Sequence, residues 1–395
     1  MKNYIKPLKR RNTNCYKWDS VEDNKDLIPL WIADMDLKCP KEIVNAVVKR
    51  AKHAAYGYVK VPQKYYDALC NWFDKMHGWR FEPSDVVYTI GVVPAVSAVI
   101  KAVTNPNDKI LMFTPVYNCF YSSIRNNDCT LLSCPLKKDE NNVFNIDFEK
   151  FDKLCQTEKP KALLLCNPHN PVSRVFTLEE LIKIAEICLK NDVFIISDEI
   201  HCEIVMPGYQ YIPFGIAAEK VGLENYAVCN SPSKTFNTAS LQIANIVCKN
   251  SSLRRKINRA ININECCDVN PFGVEALITG YTSKGCRIFI QDLIKTVSSN
   301  YALVVKLLKE IPEIKITPLQ ATYLMWIDCS ALNKKSKEIE KELLEKYHVW
   351  INPGSLYGEE GEGYMRINLA APPKVLAKGI NRFIEYYKEV SLAKQ

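Results

Sequence analysis

Short apolar runs separated by polar, helix-compatible stretches set the pattern of this chain. Ala162 to Cys166, Val193 to Ile196 and Tyr226 to Cys229 lack polar alternation and are too short for helices, as expected of strands covered on both faces of a sheet. Between the first two, Thr177-Leu178-Glu179-Glu180 has the form of a capping box, and Leu178, Leu181, Ile182, Ala185, Cys188 and Leu189 recur on one helical face. Strand, helix, strand follows. Another apolar run, Val86 to Val93, meets Pro94, which suits a first helical position and would place the amides of Val92 and Val93 at a helix N-terminus. Phosphate binds readily at such a place.

The flanks read differently. A polar lead-in precedes a predicted strand at Leu30 to Ala33 and a helix after Pro40. Beyond Gly285 a long helix carries Ile294, Val297, Tyr301, Val304, Val305 and Leu308 at helical spacing. The tail then predicts a strand over 321–329, a helix over 337–348, a strand over 364–369 and a helix over 373–390. The expected fold is α/β, with a large domain over 46–285 around a mostly parallel sheet and a smaller α+β domain formed by 1–45 and 286–395. Glycine is scarce, at 14 of 395 residues, yet Gly354, Gly358, Gly361 and Gly363 crowd together, so special backbone geometry is expected there.

Composition narrows the partners. The net charge of +8 comes from 52 basic and 44 acidic residues with no long basic block, and Lys334-Lys335-Ser336-Lys337 reads as a solvated helix start rather than a nucleic-acid contact. No run approaches the roughly 18 apolar residues of a membrane span, and the basic start leads into polar Asn12-Thr13-Asn14, not a signal-peptide core. A cytoplasmic protein is expected. Sixteen cysteines without a Cys-x-x-Cys pair fit a reducing compartment. Cys166, Cys188, Cys229 and Cys248 lie in apolar runs and read as buried hydrophobes. Cys266-Cys267 reads as a bend, and no metal site is expected.

Candidate chemistry sits where the predicted strands end, which is where open α/β sheets bind ligands. Asn167-Pro168-His169-Asn170-Pro171 follows one strand, Ser197-Asp198-Glu199-Ile200-His201 closes the next, and Ser231-Pro232-Ser233-Lys234 follows a third. A lysine delivered between small hydroxyl residues suits Schiff-base chemistry, because the amine needs shelter from bulk water. The Asp-Glu-Ile-His run also resembles a helicase box, but no Gly-x-x-x-x-Gly-Lys-Ser/Thr loop accompanies it. A nicotinamide site fails similarly, since Gly358-Glu359-Glu360-Gly361-Glu362-Gly363 is acidic and opens no helix.

Together with Trp31-Ile32-Ala33-Asp34-Met35-Asp36, Tyr56-Gly57-Tyr58, Gly91-Val92-Val93-Pro94, Thr114-Pro115-Val116-Tyr117 and Gly363-Tyr364-Met365-Arg366-Ile367-Asn368, these motifs run nearly end to end. In that order they resemble the pyridoxal-phosphate enzymes of the aspartate-aminotransferase fold, and within them the MalY/PatB-type, cystathionine β-lyase-like C–S lyases. The resemblance implies pyridoxal 5'-phosphate as cofactor, with Lys234 as covalent tether and then general base. Asp198 would partner the pyridine nitrogen, Asn170 the phenolic oxygen, and Tyr117 would stack on the ring. Val92, Val93, Ser231 and Ser233 would hold the phosphate, joined by Tyr58 from a second subunit of a homodimer with shared sites. On the substrate side, Arg366 would clamp the α-carboxylate, with Ala33 beside it. His201 is grouped with the cofactor-binding residues and marks the lyase branch; its catalytic role stays open.

Two departures stand out: Gln242 where aspartate aminotransferases carry arginine, and Ser173 where the family usually has glycine. The expected reaction is α,β-elimination of a sulfur amino acid to pyruvate, ammonia and a thiol. The alternative is an amino-acid aminotransferase sharing every cofactor contact.

Overall fold

Apolar side chains on both faces of a strand demand cover on both sides, and the large sheet has it. In the computed structural model, which describes residues 8–21, 24–263, 265 and 267–392, seven strands lie in the spatial order Val86–Thr89, Ala244–Val247, Tyr226–Asn230, Phe194–Asp198, Ala162–Cys166, Lys109–Thr114, Thr130–Pro135. All neighbours pair in parallel except Ala244–Val247, which runs antiparallel to both of its partners. Alternate residues serve two cores: Leu163, Leu165, Ile195 and Val228 face one, and Ala162, Leu164, Ile196 and Ala227 the other.

Local sequence explains the helices that punctuate this sheet. Thr177 and Glu180 close both halves of the predicted capping box at the start of Leu178–Lys190. The buried stripe of that helix is Leu181, Ile184, Ala185, Ile187 and Cys188, while Leu189 is 47 % exposed. The expected face is thus displaced, because the helix also packs on Phe214–Val221. Gly91, not Val93, precedes the helix Val92–Val103, and Pro94 is its third residue. Proline is tolerated there because the first four helical amides have no intrahelical acceptor.

A four-stranded antiparallel sheet, ordered Lys315–Ile316, Leu324–Asp328, Tyr364–Asn368, Asn352–Pro353, stands apart from the large one. The long helix is Lys284–Leu308 and the last is Pro373–Leu392. The strand expected from Ala321 begins only at Leu324, since Thr322 has φ 66° and cannot join a ladder. The glycine cluster has its special geometry: Gly358 and Gly363 have φ of 121° and 82°, and a Cβ on Gly354 would lie 2.0 Å from the Gly361 carbonyl.

The strand expected at Leu30 to Ala33 is absent. Only Ile28–Pro29 pairs, in parallel with Val349–Trp350, and the chain then continues as coil. The backbone amide of Asn368 takes the Leu30 carbonyl at 2.8 Å, and side chains take those that follow. Arg366 Nη2 donates to Trp31 O at 2.9 Å, and Asn368 Nδ2 donates to Ile32 O and Asp34 O at 2.7 and 2.8 Å. Buried Lys17 anchors the same segment through Asp36 at 2.8 Å. Among the described residues no helix is long and apolar enough to cross a membrane, no metal-binding cluster occurs, and every cysteine is free. Cys266 lies outside the described residues.

Candidate active site

Ends of neighbouring parallel strands converge, so residues far apart in sequence line one cavity of about 490 Å³. Its walls include Ala33, Val92, Val93, Tyr117, Asn170, Asp198, His201, Ser233, Lys234 and Arg366. Ten of the twelve residues singled out above are therefore brought together. The other two are Ser231 and Tyr58.

Ser231 is buried behind the wall. Its hydroxyl donates to Ile243 O at 2.6 Å and accepts from Ser233 N at 3.1 Å, so it can meet an anion only by giving up its own acceptor. Tyr58 is 97 % exposed and lies off the cavity of its own chain.

Asp198 ends its strand with the carboxyl turned into the cavity. Oδ1 accepts from Ile200 N at 3.1 Å, and among the described residues nothing donates to Oδ2. Burial pushes the carboxyl up to about 7, opposed by the Ile200 amide and reinforced by neighbouring Glu199. Glu199 faces away and serves the structure: it accepts from Ser197, Phe214 N and Asn167 at 2.8, 2.9 and 3.2 Å, and from Tyr211. Alternation along the strand thus gives two adjacent carboxylates different tasks.

Lys234 lies in the short helix Ser233–Phe236, immediately after a sheet strand. Its Nζ donates to Ala33 O at 2.7 Å, an oxygen that also accepts from the Tyr323 hydroxyl at 3.1 Å. Burial lowers the pKa of this amine, with Asp34 opposing and Arg366 assisting. A lysine shifted this way loses its proton more easily than a surface one.

Arg366 enters from the middle of the small sheet, 3 % exposed. Nη1 donates to Asn170 Oδ1 at 3.1 Å, the guanidinium lies 4.8 Å from the Tyr357 ring centroid, and Nε has no partner. Since Asn170 Oδ1 is taken, its amide remains to donate into the cavity. His201 is buried with Nδ1 unpartnered, and burial carries its imidazole down to about 3, so the ring is neutral. At the far wall, Val92–Val103 begins at Gly91 without a capping side chain, leaving the first helical amides open to an anion.

Reading the sequence missed part of the wall: Tyr16, Cys119, Asn352 and Leu356 also line the cavity, beside Trp31 of the early motif. None sits in a strand-end motif, so nothing in local spacing marks them. Ser173, the departure from glycine, has φ 59°, the left-handed backbone that favours glycine. Its hydroxyl donates to Leu324 O, a bond that glycine could not make.

An uncapped helix start, a buried carboxylate lacking a cation and a sheltered lysine define an enzyme that holds an anionic aromatic cofactor covalently. The aminotransferase class I and II family model matches residues 25–383, and the chain belongs to that family. It is 33 % identical to cystathionine beta-lyase PatB of Bacillus subtilis over 384 residues, 96 % of this chain and 98 % of that protein. Protein MalY of Escherichia coli is 30 % identical, covering 99 % and 100 % of the two chains. Cystalysin from Treponema denticola, solved with pyridoxal 5'-phosphate, superposes with a TM-score of 0.94 at 32 % identity, over 98 % of this chain and 99 % of its own. Pyridoxal phosphate fits the present cavity by charge: its phosphate matches the helix start and its ring nitrogen the unpaired Asp198.

Proposed function

We propose that this protein is a pyridoxal-phosphate-dependent C–S β-lyase, converting a sulfur amino acid such as L-cystathionine, with water, to pyruvate, ammonia and a thiol. The observation that carries it is the facing of Lys234, Asp198 and Arg366 in one cavity of a chain whose relatives bear cystathionine β-lyase names. When bound, pyridoxal phosphate supplies an electron sink for negative charge at the substrate α-carbon.

The chain's residues do the rest. The Val92 and Val93 amides and Ser233, with Ser231 once its hydroxyl turns, hold the phosphate. Asp198 keeps the ring nitrogen protonated, and association with that cation returns its own carboxyl to the ionised form. Tyr117 would face the ring, Asn170 would donate to the phenolic oxygen, and neutral His201 lines the same wall. Arg366 captures the substrate carboxylate as a planar fork, next to Ala33. Lys234 would tether the cofactor at rest and, with its amine free, would take the α-proton, its Nζ positioned by Ala33 O.

Water exclusion follows from the burial of Asn170, Asp198 and Arg366. Tyr58, exposed on its own chain, is proposed to reach the phosphate of a second subunit in a cytoplasmic homodimer, and the division at 46–285 to separate the cofactor-holding domain from the arginine-bearing one. Incubation of purified protein with L-cystathionine and no 2-oxo acid tests the reaction. Homocysteine and pyruvate in equal amounts are expected. A requirement for 2-oxoglutarate, with its amino acid formed stoichiometrically, would replace the lyase by an aminotransferase.

A further inference from the structure

A second cavity, of about 310 Å³, lies outside the active site and shares none of its lining residues. It is bounded by the helix Gln63–His77, the turn that follows Asp198, and the first part of Lys284–Leu308. At its base is Glu203, 6 % exposed. Oε1 of this carboxylate is saturated: Trp72 Nε1 donates at 2.6 Å, His77 Nε2 at 2.8 Å, and the Cys202 thiol lies at 3.7 Å. Among the described residues nothing donates to Oε2. A carboxylate oxygen that opens onto a cavity with no protein donor is a natural seat for a cation.

The rest of the cavity says which cation. Trp72, Ile290 and Ile294 give it an apolar wall. Arg287 stands on the same lining, exposed, and among the described residues no carboxylate pairs with it. One anionic seat, one guanidinium and an apolar surface on a single lining match a zwitterion with a nonpolar body. The volume is at the lower end for small-molecule sites, on the order of 300 Å³, which suits a ligand smaller than a cofactor.

We propose that this cavity binds a free α-amino acid with an aliphatic or thioether side chain. Glu203 Oε2 receives the ammonium, Arg287 the carboxylate, and Trp72, Ile290 and Ile294 the side chain. The cavity is tied to the active site by two short routes, one along the chain and one through hydrogen bonds. Cys202 and Glu203 directly follow His201, which lines the active site. Ile290 and Ile294 lie on the helix whose Asn300 donates to Leu369 O and Ala371 O at 2.7 and 2.8 Å, just past the strand of Arg366. An occupant therefore bears on both His201 and Arg366, and it alters turnover. Binding itself is independent of the reaction assigned above; only the kinetic consequence rests on that assignment.

Calorimetric titration of L-methionine into the Arg366→Ala holoenzyme isolates this site, because the visible absorbance of the cofactor reports any engagement of the active site. Expected is one binding event per chain that leaves that absorbance unchanged. Adding Arg287→Ala should weaken it at least about tenfold, as loss of a charge partner does, and Glu203→Gln should weaken it likewise. If the Glu203 variant does not fold, the exposed Arg287 position decides alone. Absence of a spectrally silent event, or one indifferent to Arg287→Ala, overturns the proposal. In the enzyme with Arg366 intact, Arg287→Ala should leave pyruvate formation unchanged without methionine and abolish methionine's effect on kcat. A failure to form pyruvate would refute the lyase reading while the titration still judged this site.

Discussion

The floor and the mouth of the active-site cavity are built from different materials. Asn170, Asp198 and Lys234 hang from neighbouring parallel strands, so their spacing is set by a ladder of backbone hydrogen bonds beneath them. Tyr16, Trp31, Cys119 and Leu356 come from the lead-in, a short helix and the glycine-crowded loop. Tyr16 is 70 % exposed and Leu356 39 %, whereas Asp198 is 3 %. A buried, ladder-fixed floor holds charges where the low polarity makes them strong; a partly exposed mouth, built from short helical turns and the lead-in, can vary its contacts without disturbing them. Chemistry should therefore belong to the floor and substrate choice to the mouth.

The heaviest blow to the floor is Lys234→Ala. It should remove covalent attachment of the cofactor and cut elimination by on the order of 10³-fold or more, since tether and base go together. Borohydride reduction and peptide mapping of the parent enzyme check the assignment, and label on another lysine would refute it. Asp198→Ala comes next, with weaker cofactor retention and a loss of about 2–5 kcal/mol from an abandoned charge partner, read by cofactor titration.

The same carboxyl makes a pH prediction. In cofactor-free protein its value is raised from 3.8 to about 7 by burial. A folded value above the unfolded one means that its contribution to stability is complete below about pH 4 and is lost as the pH rises through about 7. Asp198→Asn has no such loss, so its melting temperature relative to the parent should climb across that window. Cofactor should reverse the order near neutrality by supplying the missing cation.

Arg366→Ala should keep the cofactor but raise KM for substrates bearing an α-carboxylate by on the order of 10²-fold. An unchanged KM would remove Arg366 from the substrate clamp. The smallest effect belongs to the mouth: Tyr16→Ala should shift KM between S-substituents by less than about tenfold and leave kcat for a small substrate nearly intact, as expected for a partly exposed aromatic contact.

This contrast also explains what could be read in advance. Strand-end motifs are local, and Asn170, Asp198 and Lys234 announce themselves because each follows a short apolar run. The capping box at Thr177 and Glu180 is equally local. Leu30 to Ala33 looked like a strand because it is apolar; its carbonyls instead meet Arg366 and Asn368, more than 300 residues away in sequence. Tyr16 and Leu356 reach the cavity only through tertiary packing, which no spacing encodes. Glu199 illustrates the remaining gap: the Asp-Glu pair is visible, but which carboxylate faces the cavity depends on strand register.

The division between floor and mouth is tested most directly by product partition. Pyruvate formation and amino transfer to 2-oxoglutarate would be measured side by side for the parent enzyme and for Tyr16→Ala combined with Leu356→Ala, using L-cystathionine and S-methyl-L-cysteine. Expected is a changed KM for one substrate relative to the other, with elimination outpacing transfer by the same ratio in both proteins. A ratio that moved with the mouth substitutions would contradict the assignment of the reaction type to the floor.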